Sequence, residues 1–188
     1  MPTQIGYFET LKNAVGKVFT YLSTLTLTGT DGKTLTVEDN CTVGGKAVNP
    51  TLPAFLVTPS AEQSNIAVAA DVTVAFGTEI YDQANNFAAN VFTAPITGKY
   101  HFDFNIALQS TDDGALYYRI QLITSNRTYH FFYSMMGVSL DQDAASITGS
   151  VLADMDAGDT AYLSFRQGAG IQQTDIQAIS FFSGHLVC

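Results

Sequence analysis

Three histidines are the residues best able to do acid–base or metal chemistry in this sequence. His101, His130 and His185 each fall within a stretch that predicts a β-strand, and none is next to a serine or cysteine in a nucleophile motif. The patterns Gly-x-Ser-x-Gly, Ser-x-x-Lys and His-x-x-x-His do not occur. We therefore interpret the histidines as structural. A metal or anion site would form only if trimerisation gathered His101 or His185 at an axis.

Three clusters of acidic residues are the other candidates for metal ligands. They are Asp112-Asp113, Asp141-Gln142-Asp143 and the run from Asp154 to Asp159. The last run lacks the alternating ligands and the closing glutamate of an EF-hand calcium loop. We predict that all three clusters are solvated turns. With no phosphate-cradling glycine loop or dinucleotide fingerprint, the sequence predicts no catalysis.

The two cysteines, Cys41 and Cys188, form no Cys-x-x-Cys pattern, and we interpret them as unpaired thiols. Met1 to Gln4 are not followed by the basic patch and apolar run of a signal peptide. No apolar stretch approaches the roughly 18 residues of a spanning helix. We expect a soluble chain made in the host cytoplasm without a signal peptide and without membrane insertion.

The charge balance excludes one large class of partners. Eight Lys and Arg stand against 17 Asp and Glu in 188 residues, giving a formal net charge of -9. A chain with so few cations cannot neutralise phosphates along a nucleic acid. Charged residues make up only 13% and aromatic residues 12%, which is the reverse of a disordered composition.

A change in composition near residue 50 divides the chain. Residues 44–53 contain two glycines and two prolines, which is typical of a linker. We predict an N-terminal segment, residues 1–50, that anchors or trimerises the protein, and a head domain, residues 51–188.

The N-terminal segment predicts a helix over roughly 4–20 followed by a hairpin. Its apolar residues are spaced 3 and 4 apart, as in the seam of a coiled coil: Phe8, Leu11, Val15, Val18 and Leu22. Gly6 and Gly16 weaken this pattern, since each costs about 1 kcal/mol in a helix interior. Apolar alternation on both sides of Asp31-Gly32 predicts a hairpin over roughly 23–38. An all-strand segment remains an alternative.

Beyond the linker, strand patterns recur every ten to fifteen residues. Tyr100, Phe102 and Phe104 alternate with polar residues, which is the pattern of a half-buried strand. Turn residues separate eight to ten such strands, and no segment after residue 50 has a helical period. This pattern predicts an all-β sandwich or jelly roll.

Three blocks within residues 53–188 resemble the globular head of complement component 1q. The first is Phe92 with the run Pro95-Ile96-Thr97-Gly98-Lys99-Tyr100-His101-Phe102. The second runs from Ser146 through Gly158-Asp159 to Leu163, and the third is Phe182-Ser183-Gly184-His185-Leu186. The resemblance implies a ten-stranded jelly roll of the complement 1q and tumour necrosis factor type that assembles as a homotrimer.

Trimers of that family bury aromatic side chains around the three-fold axis. The matching candidates here are Tyr100, Phe102, Tyr117, Tyr118, Tyr162 and Phe182. A role in the core of a single chain is the alternative for the same residues.

The chain departs from the resemblance at two places. No Gly-x-y repeat precedes the head, although family heads usually follow a collagen-like stalk. Some members hold calcium near the trimer apex through Asp residues after the Phe of the second main strand, but here Gly77 follows Phe76. We predict no cofactor, with calcium the one metal that the resemblance leaves open.

These features together predict a non-enzymatic homotrimeric protein on the surface of a bacteriophage virion: a capsid decoration, head fibre or tail-fibre tip. Residues 1–50 would anchor it to the larger assembly, and the head would bind a cell-surface glycan or protein with the avidity of three linked copies. One alternative is a secreted or spore-surface binding protein of the complement 1q type. Another is a jelly-roll hydrolase, which needs paired carboxylates roughly 5–9.5 Å apart.

Overall fold

The computed structural model describes residues 24–28, 34–38 and 52–188. The chain divides into two compact units, Met1–Asn49 and Pro50–Cys188, which are described separately below. The helix predicted over roughly 4–20, with its seam from Phe8 to Leu22, lies outside the described residues.

The N-terminal unit contains a hairpin of two five-residue strands. Strands β1 (Thr24–Thr28) and β2 (Thr34–Glu38) pair antiparallel, with Thr24 opposite Glu38 and Thr28 opposite Thr34. This register places Leu25 opposite Val37, as the apolar alternation on each side of the turn requires.

The head is built of antiparallel strands, with no helix in residues 52–188. Its strands are β3 (Ala54–Thr58), β4 (Val72–Thr73), β5 (Thr78–Gln83), β6 (Phe87–Ala88), β7 (Val91–Thr93), β8 (Gly98–Gln109), β9 (Tyr117–Thr124), β10 (Thr128–Ser134), β11 (Ala145–Met155), β12 (Thr160–Gly168), β13 (Asp175–Ile176) and β14 (Phe181–Leu186).

The strands form two sheets that face each other across the core. Sheet I has the order β10-β9-β12-β7-β6, and sheet II has the order β11-β8-β14-β3-β5. The two-residue strands β4 and β13 attach to β12 and β8 outside these paths. Two paths of five strands each confirm the predicted ten-stranded jelly roll.

The period of two along β8 decides which side chains enter the core. Tyr100, Phe102 and Phe104 are 0–2% exposed, whereas His101 and Asp103 between them are half-buried on the outer side. The half-buried strand predicted from this alternation is confirmed.

A cluster of aromatic rings fills the core between the sheets. Phe55 lies at its centre, with ring centroids 5.0 Å from each of Phe87, Phe92 and Phe182. Phe55 and Phe182 belong to strands of sheet II, and Phe87 and Phe92 belong to strands of sheet I. The cluster therefore joins both sheets. Its stacked and edge-to-face pairs add to the free energy of burial, by about 0.5–1.5 kcal/mol per pair.

Glycine is favoured at two positions for different physical reasons. Gly158, in the turn between β11 and β12, has a φ of 94°, in the left-handed region that residues with a side chain rarely adopt. Gly98 opens β8, and a Cβ there would lie 2.5 Å from the carbonyl oxygen of Cys188. The first position is fixed by backbone conformation and the second by crowding.

Replacing Phe55 with alanine should destabilise the folded state by about 3–5 kcal/mol, because the cavity would open at the centre of the ring cluster. Phe132→Ala is the matched control, since Phe132 is 61% exposed and its loss should cost about 0.5 kcal/mol or less. Urea unfolding followed by tyrosine fluorescence measures both. Equal losses in the two variants would contradict the assignment of Phe55 to the core.

Candidate functional site

The outer side of sheet II brings together polar residues that are far apart in sequence. We call this surface the histidine face and define it by His101, Asp103, Ser150, Leu152 and His185. Because side chains two apart in a strand share a face, His101 and Asp103 both project outward from β8. The antiparallel registers place Leu152 of β11 and His185 of β14 opposite His101, on its two sides.

A chain of polar contacts runs across this face. The Oγ of Ser150 is hydrogen-bonded to Nε2 of His101 at 2.8 Å, and Oδ2 of Asp103 lies 3.1 Å from Nδ1 of His101, at ion-pair distance. The negative charge of an ionised carboxylate favours the tautomer that has its proton on the nearer nitrogen, Nδ1. In the neutral imidazole, Nε2 is then the acceptor and the Ser150 hydroxyl is the donor.

This chain has the connectivity of a Ser-His-Asp triad, which the sequence patterns did not reveal. The residues come from two strands, with 49 positions between Ser150 and His101, so no local motif records them. Acyl transfer also needs donors aimed at a developing oxyanion. The backbone N–H groups of β8 and β11 lie in the plane of the sheet and point toward the neighbouring strands. The geometry therefore supplies a serine hydroxyl beside an imidazole, and the backbone of these two strands aims no donor at the space above Ser150.

The second histidine of the face lies beside the first. The ring centroids of His101 and His185 are 5.4 Å apart, in an edge-to-face arrangement with an interplanar angle of 63°. His185 is exposed, and its ring makes no hydrogen bond to any described residue. It is thus an imidazole without a structural partner other than His101.

The outer side of sheet I differs in its charge. Arg119 of β9 and Arg166 of β12 lie opposite each other, and Asp71 pairs with both, at 2.5 and 3.6 Å. The third histidine, His130 of β10, is exposed on this side, with its ring centroid 6.2 Å from that of Phe132. All three histidines lie in strands, as predicted, but only two of them are neighbours.

Four of the six predicted trimer contacts lie in the core of a single chain. Tyr100, Phe102, Tyr118 and Phe182 are each 0% exposed. A side chain that is already enclosed by its own two sheets has no surface to offer a second copy. Of the two alternatives, a trimer contact and a place in the core of a single chain, the structure supports the core for these four residues.

The other two predicted contacts keep some exposed surface. Tyr117 of β9 and Tyr162 of β12 are half-buried and project from the outer side of sheet I. Their role in a trimer stays a prediction.

Two of the three carboxylates in the acidic cluster of the loops already accept hydrogen bonds. Asp112, Asp113 and Asp141 bring ligand atoms within 4.8 Å of one another, the one such group of three among the described residues. Asp112 is 4% exposed and accepts bonds from the N–H groups of Gly114 and Ile171. The Ile171 bond ties the loop of Asp112 to the loop that follows β12, so Asp112 has a structural role.

Asp141 in that cluster is held in its charged form. Its carboxylate accepts a bond from the side-chain amide of Gln173 at 2.9 Å and another from the backbone N–H of Asp113 at 2.9 Å. These two bonds, the Gln173 bond first, lower the pKa of Asp141 from its usual 3.8.

The acidic run between β11 and β12 is a hairpin turn, as predicted. The carboxylate of Asp159 accepts bonds from the N–H of Asp156 at 2.8 Å and from the Asn126 side chain at 2.9 Å. Asp154 forms an exposed ion pair with Arg127 at 2.8 Å. The predicted solvated turn therefore also fastens the tip of the β9–β10 connection.

Two further expectations can be placed on the structure. Cys188 is a free, exposed thiol, whereas Cys41 lies outside the described residues. The described part of the chain contains no helix that is long and apolar enough to cross a bilayer.

A comparison with protein families identifies the family to which the head domain belongs. The C1q domain family matches residues 54–187, nearly the whole head. The chain belongs to the C1q domain family. No curated protein matches it in sequence.

Solved structures agree with this fold at low sequence identity. The globular domain of zebrafish complement 1qA is 19% identical, with a TM-score of 0.54 over 73% of this chain and 98% of that one. Murine APRIL at pH 8.0 is 11% identical, with a TM-score of 0.51 over 72% of this chain and 98% of the other. The APRIL structure at pH 5.0 has the same identity and TM-score, over 72% and 99%. The C1q and tumour necrosis factor type of jelly roll is thus confirmed as a fold.

Asp141→Asn should lower the free energy of unfolding at neutral pH and leave it unchanged in strong acid. A lowered folded-state pKa stabilises the fold above the unfolded value of 3.8, and this stabilisation is lost as pH falls through the folded pKa. Urea unfolding of both proteins at pH 7 and near pH 3 measures the difference. Asp143→Asn is the control, because the Asp143 carboxylate has no hydrogen bond to a described residue. A gap between wild type and Asp141→Asn that persists undiminished at pH 3 would refute this explanation.

Proposed function

We propose that this C1q-type protein is a non-enzymatic, homotrimeric structural protein of a bacteriophage virion, as a capsid decoration, head fibre or tail-fibre tip. Residues 1–50 anchor it to the particle, and residues 51–188 present a binding head at the virion surface. The observation that carries the proposal is the C1q match over residues 54–187, preceded by a separate compact unit that has no collagen-like repeat.

The homotrimer is supported by the family. Heads of the C1q and tumour necrosis factor type are typically trimeric binding modules, and this chain has their fold. Three copies on one particle bind a repetitive cell-surface glycan or protein more tightly than one copy, without any new contact.

The histidine face is the better of the two outer sheet surfaces for contacts between subunits. Asp103 is the single charged residue among the outward positions of β8 and β14 from 101 to 105 and from 181 to 185. Leu152, which lies opposite His101 in the pairing of β11 with β8, is 54% exposed. On the edge strand β5 of the same sheet, Tyr81 is 51% exposed. Interface centres are depleted of charge and rich in aromatic residues. Sheet I instead presents the Arg119–Asp71–Arg166 network.

A non-enzymatic role is supported by the same face. The backbone N–H groups of β8 and β11 beside Ser150 lie in the plane of the sheet and not above its hydroxyl. Among the described residues, the one cluster of three acidic side chains is the one around Asp112, where N–H donors already bind the Asp112 oxygens.

A soluble binding protein of the complement 1q type is the second candidate. The likeness to the zebrafish complement 1qA head favours it. The two candidates differ in what the N-terminal unit does, since a soluble ligand has no particle on which to dock.

Native mass spectrometry should find an assembly of three 20.2 kDa chains. Leu152→Arg should convert it to monomers, because an arginine at the centre of the histidine face would be desolvated in the interface. Phe132→Arg, which puts the same charge on the outer side of sheet I, should leave the trimer intact. A wild-type monomer would refute the trimer, and dissociation by Phe132→Arg alone would move the interface to sheet I.

Removal of residues 1–50 should abolish docking to particles and preserve the trimer of the head. Co-sedimentation of full-length and truncated protein with particles that lack it measures docking, and native mass gives the assembly state. A truncated head that sediments as well as the full chain would show that the anchor lies elsewhere. Failure of both forms to dock would favour the soluble binding protein.

A further inference from the structure

We propose that His101 and His185 form a binding site for a late first-row divalent metal ion such as Zn²⁺. Both imidazoles come from one chain, so the site does not rest on the trimer or on the virion role.

The backbone fixes the pair before any ion binds. His101 of β8 and His185 of β14 lie directly opposite each other in an antiparallel register that runs from Phe181 to Leu186. Directly opposed residues on one face have Cβ atoms about 4.5–5.5 Å apart. Two strands in the interior of sheet II thus fix the backbone of both ligands, and little backbone entropy remains to be lost on binding.

The separation of the rings suits a shared ion. Two imidazoles on a tetrahedral zinc, with Zn–N distances of about 2.0–2.1 Å, have ring centroids roughly 5 Å apart. The observed separation is 5.4 Å. The rings now meet edge to face, so His185, which has no hydrogen bond to hold it, rotates to turn a nitrogen toward the ion.

Asp103 prepares His101 as a ligand. Its carboxylate oxygen lies 3.1 Å from Nδ1, and its negative charge favours the tautomer with the proton on Nδ1 and the lone pair on Nε2. A carboxylate that orients a histidine from behind is the usual outer partner of a metal-binding imidazole. At present Nε2 accepts only the Ser150 hydroxyl, at 2.8 Å, a neutral bond that an ion can replace.

The donor set selects the kind of ion. Imidazole nitrogen suits zinc, copper and nickel, whereas calcium and magnesium prefer oxygen ligands. Two protein ligands leave two tetrahedral positions for water or for an oxygen of a bound ligand.

Isothermal titration of the full-length chain with ZnCl₂ tests the site, with MgCl₂ as the oxygen-preferring comparison. We expect one Zn²⁺ site per chain that is absent from His101→Gln and His185→Gln. His130→Gln, which alters the third histidine on the other sheet, should retain it. Urea midpoints close to that of wild type verify that each variant is folded.

Two neighbours of His101 separate metal binding from other roles. Asp103→Asn should weaken Zn²⁺ binding by about 10–100-fold, the usual effect of losing an outer partner. Ser150→Ala should leave binding unchanged or tighter, because it frees Nε2. Absence of Zn²⁺ binding by wild type would overturn the proposal, as would equal binding by His185→Gln and wild type or equal losses in the His130 and His185 variants.

Discussion

The pairing of β8 with β11 on one side and β14 on the other is the constraint on which the rest of the head depends. Eleven residue pairs join β8 to β11 and six join it to β14. A shift of one residue in either register would exchange the two faces of a strand. It would bring His101 and Asp103 into the core and expose Tyr100 and Phe102. The aromatic core and the polar outer face are therefore two consequences of one register.

The two outer surfaces of the sandwich are chemically unlike, although both belong to half-buried sheets. On sheet I, Arg119 and Arg166 lie opposite each other, and the carboxylate of Asp71 pairs with both and offsets the repulsion between their positive charges. On sheet II, the outward positions 101–105 of β8 and 181–185 of β14 carry a single charged residue, Asp103. A surface with little charge loses less hydration when it is covered, which connects the histidine face to subunit contact. The same lack of competing charges leaves its imidazoles available as ligands.

Much of the fold could be predicted from local pattern. The alternation around Tyr100 fixes which side of β8 is buried, and Gly158 marks a turn that the structure has. The site could not be predicted in this way. Aromatic residues were taken as interface candidates because they are large and apolar, but that property suits a core equally well. Only the packing of the second sheet over them shows that Tyr118 and Phe182 have no free surface.

The sequence by itself determined that residues 51–188 form an all-β sandwich with an aromatic core, because a period of two and the turn residues are local properties. Its net charge of -9 also predicts that nucleic acid is not a partner, and that prediction needs no coordinates. The tertiary structure decided that Ser150, His101, Asp103 and His185 are neighbours. Their contacts depend on which strands pair and in which register, and residues 49 to 84 positions apart carry no local sign of that pairing.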